Sequence, residues 1–194
     1  ATCGAISYAG CKPVLVDVDN TLNMDVDLLK KKMTKKTKAI MPVHLSGIPA
    51  KIDKIKNLLK KHNLIFIEDA AHAFGGKYKD KYLGTFGDVG IFSLHPRKNL
   101  HVLGDGGIIV TKNRKLFKKL SLLRNHGLKN RNESVIWGTN SRLDNMQGAG
   151  SQIIKKQEQA PLFKPQNNMQ HSHGMPNMND FMQSRVNPSM RMAN

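Results

Sequence analysis

The sequence from Leu64 to Gly107, LIFIEDAAHAFGGKYKDKYLGTFGDVGIFSLHPRKNLHVLGDGG, predicts the fold because it joins two apolar runs to polar groups that could take part in chemistry. The first run, Leu64 to Ile67, ends at Glu68-Asp69 and is typical of a strand buried in a parallel sheet. Open α/β sheets bind ligands at the carboxyl ends of their strands, so Asp69 is expected at such an edge. This stretch therefore predicts an α/β protein with a mostly parallel sheet.

The second apolar run, Val89 to Leu94, carries Ser93 to a similar position. It is followed by the polar turn HPRKN, which exposes Lys98. Glycines then allow a sharp change of direction before a strand predicted at Gly107 to Thr111. We therefore expect an acid, a hydroxyl and an amine near one another at the edge of the sheet.

Strands and helices alternate along the chain around this stretch. Further strands are predicted at 13–18 and 39–43, and helices at 25–33, 52–61 and 114–123. In the helix at 52–61 lysines fall between apolar residues at helical spacing, so they should form its solvent face. The resulting βαβαβ order implies right-handed crossovers between parallel strands.

The helix predicted at 114–123 is amphipathic, and another helix is predicted to begin within 142–148. We expect the first of these helices to pack inward through its apolar residues. These residues are Leu116, Phe117, Leu120 and Leu123.

Composition limits the class of protein. The chain has 194 residues, which is enough for one domain of ordinary size, and only two cysteines, which excludes a disulfide scaffold and favours a reducing compartment. No apolar stretch approaches the ~20 residues of a membrane helix, and the basic-then-apolar order of a signal peptide is missing. We expect a soluble cytoplasmic protein, and the lack of Met at position 1 suggests a piece of a longer one.

The formal net charge of +17 raises the alternative of binding to nucleic acid or to an anionic surface. Many of the lysines lie in KKKMTKKTK (30–38) and on the helix at 52–61. Aromatic residues are sparse and no nucleic-acid-binding motif is present, so a solvated lysine-rich surface is the favoured interpretation.

The composition changes after residue 149. Residues 150–194 are rich in Met, Asn and Gln and lack apolar periodicity, which predicts a disordered tail after a domain at 1–149. Copper binding by the methionines with His171 and His173 is the alternative. A metal site needs ligands held in fixed geometry, so a disordered or mistranslated tail is favoured and no metal site is predicted.

The groups in the central stretch suit pyridoxal phosphate. A lysine amine can form a Schiff base with an aldehyde cofactor, and a carboxylate at a strand end can pair with a pyridinium nitrogen. Lys98 and Asp69 supply these two groups. Ser93, with Asn140 as a candidate second donor, could bind the phosphate.

Five ordered blocks resemble the DegT/DnrJ/EryC1/StrS family of sugar aminotransferases, which have the type I pyridoxal phosphate fold. The blocks are EDAAHAFGGKY (68–78), GTFGDVGIFSLHPRKNL (84–100), GDGGIIVT (104–111), LRNHG (123–127) and NSRLDNMQGA (140–149). The upstream segments 5–19 and 37–53 also resemble that family. The resemblance covers residues 1–149 and implies part of a three-layer α/β/α large domain, incomplete at both ends.

The resemblance assigns a role to each matching residue. Lys98 would form the Schiff base and move the proton, and Asp69 would pair with the pyridine nitrogen. His72 would lie near the phenolic oxygen of the cofactor, and Ser93 would contact its phosphate. Asn140 would reach the phosphate of the cofactor in the other subunit of a homodimer with shared active sites. His44 and His126 are interpreted as structural.

The implied reaction moves an amino group from an amino acid, with glutamate expected, to a nucleotide-linked keto sugar for amino-sugar or polysaccharide biosynthesis. A minority branch of the family replaces the Schiff-base lysine with histidine; because Lys98 is present, transamination is favoured. The family's Gly-Thr phosphate-binding turn would lie upstream of this chain. An inactive piece that retains the fold is therefore one alternative, and a basic nucleic-acid or anionic-surface binding protein is another.

Overall fold

A computed structural model describes residues 1–149 of the chain, so the tail predicted at 150–194 and its histidines lie outside the described residues. Within the described part, four helices and eight short strands have both ends described, and residues 145–149 are also helical, which confirms the helix predicted to begin within 142–148. The helices are α1 (Thr2–Tyr8), α2 (Val26–Lys32), α3 (Ile52–Leu59) and α4 (Arg114–Leu123), with a 3-10 turn at Leu45–Gly47. The strands are β1 (Ala39–Ile40), β2 (Ile65–Asp69), β3 (Lys77–Tyr78), β4 (Lys81–Tyr82), β5 (Val89–Ser93), β6 (Gly107–Val110), β7 (Leu128–Asn130) and β8 (Glu133–Ser134).

The main sheet has four strands in the order β1-β2-β5-β6. Strands β1, β2 and β5 are parallel, and β6 pairs with β5 in the antiparallel direction. The predicted α/β fold with a mostly parallel sheet is confirmed. In the ladder between β2 and β5, Asp69 lies opposite Ile91, so the ends of these two strands meet at one edge of the sheet.

Helices α2 and α3 form where a capping group and an apolar stripe predict them, whereas α1 was not predicted. Asp25 begins α2 by accepting hydrogen bonds from the backbone N–H groups of Asp27 and Leu28, and three lysines end the helix. The core joins α2 and α3 to the sheet, and α3 contributes the predicted stripe. Buried core residues on these elements are Val26, Leu29, Ile40, Ile52, Ile55, Leu58, Phe66 and Phe92.

The prediction of a strand at 13–18 is wrong. This segment joins no ladder, and its one bridge links Val18 to Met24. Its backbone is instead used in a local loop, in which Asp17 O accepts from the N–H of Asp25 at 3.0 Å. Val14 and Leu15 are 61% and 71% exposed and Val16 is partly buried against the core, so the run is not buried along its length as expected of a buried strand.

The strand predicted at 39–43 is shorter than expected. Regular pairing covers Ala39–Ile40, and an isolated bridge then joins Val43 to Asp69. Pro42 interrupts the ladder because it has no N–H to donate. Its carbonyl still accepts a hydrogen bond from the N–H of Asp69 at 3.0 Å, so the chain stays beside β2 up to the end of that strand.

Helix α4 has the predicted bounds, but the expectation that it buries its apolar face is wrong in part. No residue of α4 is fully buried, and Phe117 is 60% exposed. Leu116, Leu120 and Leu123 are partly buried. No helix among residues 1–149 is both long enough and apolar enough to cross a membrane.

Candidate functional site

Asp69 lies at the carboxyl end of β2 and is 9% exposed. Its Oδ2 accepts a hydrogen bond from the Thr2 hydroxyl at 2.7 Å, and its Oδ1 accepts from the N–H of Ala71 at 3.1 Å. The backbone of Asp69 is also held, because its carbonyl accepts from the N–H of His44 at 3.0 Å. A carboxylate with fixed orientation therefore stands at the predicted edge of the sheet.

Ser93 lies at the end of β5, two residues beyond Ile91, the partner of Asp69 in the ladder. It is partly buried, and its Oγ accepts a hydrogen bond from the N–H of His95 at 3.3 Å. The hydroxyl proton remains available for another acceptor. The parallel register therefore brings the strand ends that carry the acid and the hydroxyl to the same edge.

A cavity of about 330 Å³ lies among the loops that follow β1, β2 and β5, and two of the predicted site residues line it, whereas Asp69 and Ser93 are not among its lining residues. It is lined by Ser46, His72, Arg97, Lys98 and Asn99. Its volume lies within the range of ~300–1,000 Å³ that is typical of small-molecule pockets. The fold thus brings residues 26 positions apart in sequence, His72 and Lys98, to one cavity.

The turn that carries Lys98 is held by its backbone. The N–H of Lys98 donates to the carbonyl of His95 at 2.9 Å, and a ring nitrogen of His101 lies 3.3 Å from the carbonyl oxygen of Lys98. The side chain of Lys98 makes no hydrogen bond or ion pair with the described residues, and the residue is partly buried. An amine in this state can react with an aldehyde that enters the cavity.

Asn140 is not among the residues that line the cavity. It is exposed, and its backbone forms a bridge with Asn125. The structure of this single chain therefore does not bring Asn140 together with His72 and Lys98.

Glu68 is a buried acid next to Asp69 that sequence reasoning did not assign. It is 0% exposed, and its carboxylate accepts hydrogen bonds from His44 Nε2 at 2.9 Å and from the backbone N–H groups of Gly84, Phe86 and Gly87 at 3.0, 2.6 and 2.6 Å. Burial by itself raises the pKa of this carboxyl, but the hydrogen bonds from His44, Gly87 and Gly84 outweigh burial and hold its pKa below the usual value.

The tautomer of His44 follows from its two partners. Its Nδ1 accepts from the N–H of Ala50 at 3.1 Å, so the proton is assigned to Nε2, which donates to Glu68. This agrees with the structural interpretation of His44. Successive residues of a strand point to opposite faces, so Glu68 faces this cluster while Asp69 faces Thr2. The alternation of side chains along the strand could have distinguished, from the sequence, the buried structural role of Glu68 from the site role of Asp69.

Ser46, Arg97 and Asn99 line the cavity and were not predicted as site residues. Ser46 follows β1 in a turn with φ of 53°, a left-handed conformation that is uncommon for residues other than glycine. The unusual conformation and the position after a strand end are features shared with many ligand-binding loops. From the sequence, HLSGIP indicated only a turn between a strand and a helix, so it did not identify Ser46 as a site residue.

The donor set fits pyridoxal phosphate. An amine in a cavity, a buried carboxylate at the neighbouring strand end and a hydroxyl on the next strand are the groups expected for an aldehyde, a pyridinium nitrogen and a phosphate. This combination on a mostly parallel sheet is typical of the class of type I pyridoxal-phosphate-dependent enzymes.

The chain belongs to the DegT/DnrJ/EryC1/StrS aminotransferase family, whose model matches residues 1–191. It is 46% identical over 148 residues to the UDP-N-acetyl-3-dehydro-alpha-D-glucosamine 3-aminotransferase of Acidithiobacillus ferrooxidans; the match covers 76% of this chain and 40% of that protein. The chain therefore spans about two fifths of the length of this curated relative.

Solved structures of the family have the same fold. The structure of S. venezuelae DesV in complex with a ketimine intermediate matches with a TM-score of 0.76 and 39% identity, over 80% of this chain and 42% of DesV. NtdA from Bacillus subtilis, solved with bound cofactor PMP, matches with a TM-score of 0.71 and 34% identity, over 78% of this chain and 35% of NtdA. The predicted type I fold is thereby confirmed.

Proposed function

We propose that this chain is the lysine-bearing part of a pyridoxal-phosphate-dependent aminotransferase that acts on a nucleotide-linked keto sugar, with glutamate as the amino donor. The observation that carries the proposal is the cavity shared by Lys98 and His72, which lie on the loops that follow the strands of Ser93 and Asp69. Family membership supports the reaction class, and the name of the A. ferrooxidans relative supports a nucleotide sugar as the substrate. The product would serve amino-sugar or polysaccharide biosynthesis.

The cofactor, when bound, supplies an electron-accepting ring that allows a proton to leave the carbon next to the transferred nitrogen. Lys98 would hold the aldehyde carbon of the cofactor through its amine, and the same amine would carry the proton that the reaction moves. Asp69 would pair with the ring nitrogen, and Ser93 would donate its hydroxyl proton to a phosphate oxygen. His72 lines the cavity and would orient the ring through its phenolic oxygen.

Asn140 belongs to the proposal as a residue that donates to the cofactor phosphate of a partner subunit in a homodimer with shared active sites. Its exposure, away from the cavity of its own chain, is what such a role requires. The proposed location is the cytoplasm. The two cysteines, Cys3 and Cys11, are free and exposed, which suits a reducing compartment.

The reaction is tested with the full chain, pyridoxal phosphate and glutamate, by measuring 2-oxoglutarate and the visible absorbance of the bound cofactor. Wild type should form 2-oxoglutarate in an amount that matches the loss of absorbance, and Lys98→Ala should form none. Lys115→Ala is the matched control, since Lys115 is an exposed lysine outside the cavity, and it should behave as wild type. Equal product from Lys98→Ala and wild type would overturn the assignment.

Two other outcomes separate the alternatives. If the chain binds the cofactor covalently at Lys98 but forms no 2-oxoglutarate, it is an inactive piece that retains the fold and the site. The remaining alternative, a basic binding protein, rests on the net charge of +17 alone. Salt-sensitive binding of random-sequence DNA, without any cofactor absorbance, would support that function instead.

A further inference from the structure

Thr2 makes a hydrogen bond to the proposed cofactor site from a distant part of the sequence. Its hydroxyl lies 2.7 Å from Oδ2 of Asp69, a distance typical of a strong O–H···O bond to a carboxylate. The two residues are 67 positions apart, so the tertiary fold creates this contact. We infer that Thr2 is a positioning residue, which fixes the direction of the Asp69 carboxylate toward the ring nitrogen of the cofactor.

The backbone of Asp69 is already fixed by the chain that follows β1. Its N–H donates to the carbonyl of Pro42 and its carbonyl accepts from the N–H of His44, both at 3.0 Å. The only soft degrees of freedom left to Asp69 are therefore its two side-chain torsions. Any group that decides where this carboxylate points must act on those torsions.

Two groups hold the carboxylate, one at each oxygen. Ala71 donates its N–H to Oδ1 at 3.1 Å from within the same turn, and Thr2 donates its hydroxyl to Oδ2 from α1. A carboxylate oxygen can accept two hydrogen bonds, so the pair leaves acceptor capacity for a pyridinium N–H. Ala71 alone would leave Oδ2 without a fixed partner, and Thr2 removes that freedom.

Helix α1 contributes little else to the core, since none of its residues is buried. The Thr2 bond could therefore also attach α1 to the sheet. The two roles differ in what they predict. An attachment role changes the stability of the protein without cofactor, whereas a positioning role changes the affinity for the cofactor and does so only when Asp69 carries a carboxylate.

This inference rests on the proposed function, and the test keeps the two separate. The dissociation constant for pyridoxal phosphate is measured by absorbance titration of the full chain for wild type, Thr2→Val, Thr2→Ser, Asp69→Asn and the double variant Thr2→Val with Asp69→Asn. Ser7→Ala, which removes an exposed hydroxyl from the same helix, is the control. Thermal unfolding without cofactor is recorded for every variant.

Thr2→Val should weaken binding about tenfold, since it removes a hydrogen bond to a charged group, while Thr2→Ser and Ser7→Ala should bind as wild type. The dissociation constant of the double variant should exceed that of Asp69→Asn alone by less than about twofold. Equal affinity of Thr2→Val and wild type, or full additivity in the double variant, would overturn the inference. If wild type itself does not bind pyridoxal phosphate, the proposed function fails first.

Discussion

Replacing Glu68 with glutamine should destabilise the protein strongly. The buried carboxylate accepts hydrogen bonds from His44 and from the backbone of Gly84, Phe86 and Gly87. Glutamine keeps the size of the side chain but replaces one acceptor oxygen with an N–H₂ group. That group then faces two N–H donors, whichever way the amide is turned, because each carboxylate oxygen accepts two hydrogen bonds.

The magnitude follows from the two lost bonds. Each hydrogen bond to a charged group contributes about 1.5–3 kcal/mol, and Glu68→Gln removes two of them. We therefore expect Glu68→Gln to lower the free energy of unfolding by about 3–5 kcal/mol. For a chain of this size the melting temperature should fall by about 6–20 °C.

The assay is urea unfolding followed by far-ultraviolet circular dichroism. Glu133→Gln is the matched control, because Glu133 is exposed and its ion pair with Lys129 spans 3.3 Å at the surface. This control should change the free energy of unfolding by less than about 0.5 kcal/mol. A loss below about 1 kcal/mol for Glu68→Gln would refute the idea that its hydrogen-bond cluster holds the end of β2.

Three further predictions concern pH, packing and the cofactor. The hydrogen bonds hold the pKa of Glu68 below its usual 4.5. The contribution of Glu68 to stability is therefore complete above pH 4.5 and is lost as the pH falls through the lower pKa of the folded state. The difference in free energy of unfolding between wild type and Glu68→Gln, measured by urea unfolding, should narrow only below pH 4.5. Gly90→Ala should cost about 1–3 kcal/mol in urea unfolding, because an added Cβ would overlap the carbonyl oxygen of Gly84. Gly4→Ala, which meets no atom within 4 Å in helix α1, should instead be neutral or gain up to about 1 kcal/mol, and equal losses at both glycines would contradict this packing argument. Asp69→Asn should weaken pyridoxal phosphate binding about tenfold or more by absorbance titration, because the neutral amide no longer pairs with a charged ring nitrogen; an unchanged dissociation constant would exclude that pairing.

The sequence was sufficient where local patterns decide the structure. The apolar runs that become β2 and β5, the stripe of α3 and the Asp25 cap of α2 all lie where the residues predict them. Each depends on neighbours in sequence, such as helical spacing or a capping side chain. The resemblance of short blocks to a known family then identified the groups at the strand ends.

The sequence was insufficient where distant segments decide the structure. The hydrogen bonds from His44 to Glu68 and from Thr2 to Asp69 join residues 24 and 67 positions apart. The spacing of apolar and polar residues along the chain does not predict such contacts. The same limit explains the error at 13–18, where an apolar run alone could not show whether a neighbouring strand would pair with it. It also explains Phe117, whose place in the helix pattern is inward although its side chain is exposed.

The central claim is that Lys98 forms the covalent bond to pyridoxal phosphate in a site completed by Asp69 and His72. The most direct test is to load the full chain with the cofactor, reduce it with borohydride, digest it and locate the modified peptide by mass spectrometry. The account predicts a pyridoxyl group on Lys98 at near one per chain, unchanged in Lys115→Ala and absent in Lys98→Ala. Labelling spread over the surface lysines, and unaffected by Lys98→Ala, would contradict it.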